Sequence, residues 1–172
     1  MFGGARFRAG LKSVCRLSNA AATLVGQNLG AGHPDRAEQS AWKISLYNTV
    51  CLVAIGVIFL LFAPLIVSAF TTDADVAAIA ARCLRIISVG FLFYGTAMSL
   101  TAAFNGAGDT RTPTIINIVS LWLFQIPLAW VLAHPAGMGP SGAFVALNAG
   151  FTAICVISIW IFRKGTWKTQ RV

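Results

Sequence analysis

Acidic side chains are scarce in this chain: 172 residues hold five, Asp35, Glu38, Asp73, Asp75 and Asp109. None of them falls in three long stretches that carry no formal charge at all, Ile44 to Thr72, Ile86 to Gly108 and Thr112 to Phe162. Paired carboxylates for acid–base catalysis are therefore missing. So is the buried acid with which an ion-coupled carrier takes up a proton or sodium ion. Histidine is nearly absent, and His33 and His134 both fall in polar breaks. The cysteines Cys15, Cys51, Cys83 and Cys155 are scattered, without the spacing of a metal site or a disulfide framework. They read as small buried hydrophobes. No catalytic set, metal or resident cofactor is expected, and the chain does not read as an enzyme. Charged residues make up 10% of it, against about 25% in soluble domains.

What fills the space is hydrocarbon: 57% of residues are apolar. A helix needs about 20 apolar residues to cross a bilayer. The stretch from Thr112 is long enough for two crossings, with a break at Ala133 to Pro140. The expected fold is an all-α membrane protein, a bundle of four full transmembrane helices plus one short or partial N-terminal helix. Helices are placed at about 17–31, 42–70, 76–105, 113–133 and 141–162. A basic segment 1–16 precedes them and a basic tail 163–172 follows. The lipid bilayer is the first partner implied.

Local signals punctuate these helices. Gly30-Ala31-Gly32 is a helix stop, and Asp35 with Glu38 has the spacing of a capping box. Thr72 or Asp73 is suited to cap the third long segment. Pro64 and Pro127 are expected to bend their helices, while Pro113 fits a first helical turn. Gly26 to Gly32 lacks the Lys-Ser/Thr ending of a phosphate loop. It reads instead as a helix exit where Gln27 and Asn28 satisfy orphan carbonyls. Trp160 and Trp167 are expected at headgroup level.

The net charge of +8 is not a nucleic-acid signal. The basic residues lie at the ends and in short loops rather than in a stripe with interleaved aromatics. Alternating crossings gather Arg36, Lys43, Arg111, Arg163, Lys164, Lys168 and Arg171 on one side, against Arg82 and Arg85 on the other. The excess predicts a multi-pass protein of the plasma (inner) membrane with a cytoplasmic C-terminus. Arg82 and Arg85, three apart, share a helix face and can snorkel to the interface.

Uncharged polar residues inside the spans are Asn48, Tyr94, Thr96, Ser99, Asn117, Ser120, Gln125 and Asn148. Hydrocarbon offers them no partner, so they face protein or a wet cavity. Interhelical hydrogen bonding accounts for any one of them. Together they also suit a cavity for an organic cation or polar drug, with Tyr94, Asn117, Gln125 and Asn148 as the lining candidates. Gln125 leads, because Trp122 and Pro127 stand close to it in sequence.

Two stretches carry a family resemblance. Ala21-Ala22-Thr23-Leu24-Val25-Gly26-Gln27-Asn28-Leu29-Gly30-Ala31-Gly32 with Asp35-Arg36-Ala37 resembles a helix end and loop of the multidrug and toxic compound extrusion (MATE) transporters. Phe104-Asn105-Gly106-Ala107-Gly108-Asp109-Thr110-Arg111-Thr112-Pro113 resembles a second signature of that family, flanked by Leu84-Arg85-Ile86 and Gln125-Ile126-Pro127. The resemblance spans about Leu17 to Phe162 and leaves out Met1 to Arg16. It marks Gly26, Gln27, Gly30, Gly32, Arg36, Gly106, Gly108, Asp109, Pro113 and Pro127 as structural motif residues. It implies a twelve-helix, two-lobe fold, of which this chain matches the end of helix eight and helices nine to twelve of the C-terminal lobe. It further implies export of organic cations or drug-like compounds against protons or sodium ions, with the missing N-terminal lobe as partner. The stretch Phe91 to Phe104, where some members carry an acid, has none here. The chain is therefore expected to be a fragment, inactive alone, with a basic start that does not belong to the fold. The alternative is a small integral membrane protein with a structural or assembly role.

Overall fold

The computed structural model describes residues 19–135 and 137–169. The basic segment 1–16, Cys15 and Arg171 lie outside the described residues. The described chain runs through α1 (19–30), α2 (Pro34–Ser68), α3 (Ala74–Gly106), α4 (Arg111–Ala133) and α5 (Pro140–Lys164), then one 3-10 turn, Thr166–Thr169. There is no strand among the described residues. Helices α2 to α5 are each long and apolar enough to cross a membrane.

The caps explain where the helices begin. Helix α2 starts at Pro34 rather than near 42, because Pro34 supplies the φ of a first helical position and needs no donor there. Its N-cap is His33, without a side-chain bond, so the expected capping box does not form. The carboxylates of Asp35 and Glu38 turn instead to Lys168 Nζ, at 3.2 and 2.6 Å. Helix α3 is capped by Asp73, whose Oδ1 accepts from the amides of Asp75 and Val76. The N-cap of α4, Thr110, makes no side-chain bond; Asp109, one residue earlier, accepts from the amide and hydroxyl of Thr112 at 3.0 and 2.6 Å.

The two prolines act differently. Pro64 lies inside α2, and the backbone leaves helical geometry two residues earlier at Phe62 (φ −106°, ψ 15°). Pro127 has no amide to donate and its ring crowds the preceding turn. Helix α4 answers by widening into a π-helical stretch over Ile118–Gln125, with the Ile126 amide donating to Leu121 O. What the structure shows at Pro127, where a bend was expected, is an eight-residue change of winding.

Helix α3 packs against α2 on one side and α5 on the other, and α4 packs on α5. The α2–α3 approach is close: a Cβ on Gly95 would lie 2.7 Å from Thr49 Cα. The main core gathers at one end of the bundle, around Val25, Ala41, Leu100, Phe104, Phe162 and Trp167. Trp167 departs from the headgroup belt. Gly165, at φ 72°, turns the chain back, and Trp167 stacks fully buried on Phe162. Trp160 stays outside, 60% exposed, with Lys164 Nζ 3.4 Å from its ring centroid. Large apolar side chains such as Leu46, Leu61, Leu65 and Leu123 also face outward. In the most apolar window of α4 only 11% of residues are buried within the bundle. A surface of this kind is stable only where hydrocarbon replaces water.

Candidate functional site

Tyr94, Ala97, Met98 and Thr101 follow the i, i+3, i+4, i+7 spacing of a single face of α3. With Asn117 of α4 and Ile154 of α5 they line a cavity of about 180 Å³. The Tyr94 ring is held by Phe151 of α5, centroids 4.7 Å apart. Tyr94 and Asn117, both anticipated, therefore share one small cavity. Met98 and Thr101 were not anticipated, although their helical spacing from Tyr94 was available as a signal. The wide π-helical winding begins one residue after Asn117. Such winding often marks functional positions in helices.

The other two anticipated lining residues sit elsewhere. Asn148 Nδ2 donates to Ile86 O across the α3–α5 seam, and its Oδ1 occupies the space a Cβ on Gly90 would take. Gln125 presses its side chain against Gly150 of α5 in the same way; a Cβ there would lie 3.1 Å from Gln125 Cδ. Each amide fits because the facing helix carries no side chain at that point. Trp122, 69% exposed, faces away from the bundle. The buried acceptors Gln125 Oε1 and Asn148 Oδ1 have no hydrogen-bond partner among the described residues, nor do Ser120 Oγ and Ser158 Oγ. An unmet buried acceptor costs about 1–3 kcal/mol, so these oxygens suit a donor brought by water or by another molecule.

A second set of polar residues ties α2 to α3. Asn48 Nδ2 donates to Gly95 O at 3.2 Å and to Ser99 Oγ at 3.0 Å. The hydroxyls of Thr49 and Thr96 meet at 3.0 Å. These bonds hold helices in register and face no cavity that the lining candidates share.

The motif glycines meet each other. A Cβ on Gly26 of α1 would lie 2.9 Å from Gly106 O of α3, and one on Gly106 would lie 2.6 Å from Ala22 Cα. The two sequence signatures thus form one backbone-to-backbone crossing. Gly32 and Gly108 end their helices at φ 75° and 78°, a conformation that favours glycine. Gly30 makes no such approach. Asn28 Nδ2 donates to Leu24 O at 2.7 Å, a carbonyl inside the helix, and the carbonyls at the helix end, Gln27 O, Asn28 O and Leu29 O, accept from the amides of Ala31, His33 and Gly32, so backbone rather than the two side chains meets them. Arg36 is exposed on the first turn of α2, Pro113 is buried in the first turn of α4, and Pro127 is exposed.

Four apolar helices long enough to cross a membrane, three of which (α3, α4 and α5) enclose a small cavity, with helices locked by glycine contacts, define a multi-pass α-helical membrane protein. The chain belongs to the MatE family, whose pattern it matches over residues 14–131. It is 27% identical over 159 residues to a probable multidrug resistance protein NorM of Thermotoga maritima, covering 91% of this chain and 34% of that protein. It is 28% identical over 160 residues to the probable multidrug resistance protein YoeA of Bacillus subtilis, with the same two coverages. Mouse multidrug and toxin extrusion protein 1 is 27% identical over 151 residues, covering 88% of this chain and 27% of that protein. Among solved structures, an inward-facing multidrug resistance MATE family transporter superposes with a TM-score of 0.84 at 18% identity, covering 96% of this chain and 39% of that one. The eukaryotic MATE transporter AtDTX14 superposes with a TM-score of 0.80 at 21% identity, covering 99% and 41%. Similarity at that level speaks for the fold. The chain spans about a third of the length of the curated relatives it matches.

Proposed function

We propose that this chain supplies part of the C-terminal lobe, the end of helix eight and helices nine to twelve, of an efflux antiporter for organic cations and drug-like compounds. The observation that carries the reading is the cavity between Tyr94, Met98, Thr101, Asn117 and Ile154 on a MatE scaffold. At about 180 Å³ it is smaller than the roughly 300–1,000 Å³ that encloses a drug-sized ligand. It suits one wall of a larger site completed by the N-terminal lobe. Tyr94 and Met98 would offer ring and thioether surface to an amphipathic cation, and Asn117 an amide to orient it. Asn148 and Gln125 would hold α5 against its neighbours so that the lobe moves as one body.

Export would follow alternating access, the two lobes rocking about the cavity. No carboxylate lines the cavity, so the group that takes up a proton or sodium ion would come from the rest of the transporter. The pairing of Lys168 with Asp35 and Glu38 supports placing the start of α2 and the C-terminal turn at one end of the bundle, the end that the excess of basic residues would put in the cytoplasm of the inner membrane.

The test is ethidium efflux from bacteria lacking their own pumps, carrying this chain alone or with the N-terminal seven helices of a relative. Efflux with both pieces and none with either is expected, with Asn117→Leu reducing it. Absence of efflux when both pieces reach the membrane would overturn the reading and favour the structural or assembly role.

A further inference from the structure

Arg82 and Arg85 are both exposed, and among the described residues neither makes an ion pair. They stand with Ile86 along a groove of about 480 Å³ between α2 and α3. The floor is small, Ala77, Ala78 and Ala81, and Pro64 forms the facing rim. The depth of this groove in the membrane can be worked out from helix rise. Twenty residues at 1.5 Å each span the roughly 30 Å of hydrocarbon. Counting twenty residues back along α3 from its end at Gly106 reaches Ile87, so the hydrocarbon edge falls beside Ile86 and Arg85. Counting along α2 from Ile44, it falls beside Pro64. Two independent helices therefore put the groove at the level of lipid phosphates.

From this geometry we infer that the groove binds the phosphate of an anionic phospholipid in the leaflet on the Arg82–Arg85 side. The occupant's charge is set by the two guanidiniums, whose planar N–H donors match phosphate oxygens in pairs. The nearest acids do not satisfy them. Asp73 is committed to the α3 cap, and Asp75 lies two helical turns before Arg82, facing water. The backbone of α2 leaves helical geometry at Phe62, two residues before the Pro64 rim. The alanine floor leaves room for glycerol and the first acyl carbons. The inference depends on the membrane crossings but not on the transport reading. A lipid clamp here would serve a transporter and a structural membrane protein equally.

The experiment is native mass spectrometry of the detergent-solubilised chain titrated with phosphatidylglycerol or phosphatidylcholine. One phosphatidylglycerol is expected to stay bound where phosphatidylcholine does not. Arg82→Gln with Arg85→Gln should weaken retention about tenfold, the scale of one lost charged hydrogen bond. The double lysine variant should keep part of it, and Arg111→Gln should change nothing. Circular dichroism of the double glutamine variant checks that helices persist. Equal retention of both lipids, or retention unchanged in a helical double glutamine variant, overturns the assignment. Displacement by millimolar inorganic phosphate would move the site to a soluble anion and overturn it as a lipid site.

Discussion

Trp167 lies flat on Phe162, ring centroids 4.6 Å apart and planes 15° from parallel, and its indole N–H donates 2.9 Å to the Phe162 carbonyl. Phe162 in turn meets Trp42 and Phe104 edge-on, each at 5.6 Å. Trp167, three residues past the end of α5, thus closes an aromatic cluster drawn from α2, α3 and α5. The carbonyl it engages belongs to the last turn of α5 and also accepts from the Gly165 amide at 3.2 Å.

Replacing Trp167 with alanine removes the stack, the hydrogen bond and a fully buried ring together. A loss of about 3–5 kcal/mol is expected. Thermal unfolding of the protein in detergent, followed by near-ultraviolet circular dichroism, should show a clear drop in midpoint. An unchanged midpoint would mean that the cluster stands without its cap.

Gly106 and Gly30 both belong to the motif residues, yet they should respond in opposite ways. Gly106→Ala drives a methyl into the Ala22 backbone and should cost about 1–3 kcal/mol. Gly30→Ala meets nothing within 4 Å and should stay within about 0.5 kcal/mol. Paired melting curves decide it; equal effects would refute the crossing of α1 and α3.

Lys168 bridges Glu38 and Asp35 from the C-terminal turn, outside the membrane spans. Its hydrogen bond to Glu38 is the largest influence raising the ammonium pKa above its ordinary value; partial desolvation opposes it, and the bond to Asp35 adds to the rise. A raised folded-state pKa stabilises at every pH below the unfolded value of about 10.4 and is lost as pH climbs through the higher folded value. Lys168→Ala should therefore cost at most about 1 kcal/mol near neutrality. The difference from wild type should vanish in strongly alkaline buffer and shrink in high salt. A difference that grows with pH would contradict the bridge.

Asn48 donates to Gly95 O and Ser99 Oγ while fully buried. Asn48→Leu should weaken the α2–α3 pair by about 0.6–1.7 kcal/mol, the range for hydrogen bonds inside membranes. Unfolding in graded sodium dodecyl sulfate measures it. Stabilisation by the leucine would show that packing volume outweighs the bonds.

Helix count and type were legible because charge-free runs of 20 or more residues have one stable form in hydrocarbon. The Asp73 cap was legible as well, being a matter of neighbouring residues. The start of α2 was not. Its first turns alternate buried Ala37 and Ala41 with charged Asp35 and Glu38, and a criterion based on charge trims them away. The cavity was half legible. Tyr94 and Asn117 stood out as polar residues in apolar runs, but so did Asn148 and Gln125, and only the positions of Gly90 and Gly150 separate the two pairs.

The sequence alone determined that this chain crosses a membrane, which end of each long helix carries charge, and to which family its glycine-rich signatures belong. These follow from composition and short spacings, which the bilayer reads directly. Tertiary structure decided that Gly26 meets Gly106, that Trp167 folds inward, and that Pro127 is relieved by a π-helical winding. Each of those depends on what a distant helix presents at one point, and contact between helices of similar greasiness is settled by shape rather than by hydrophobicity.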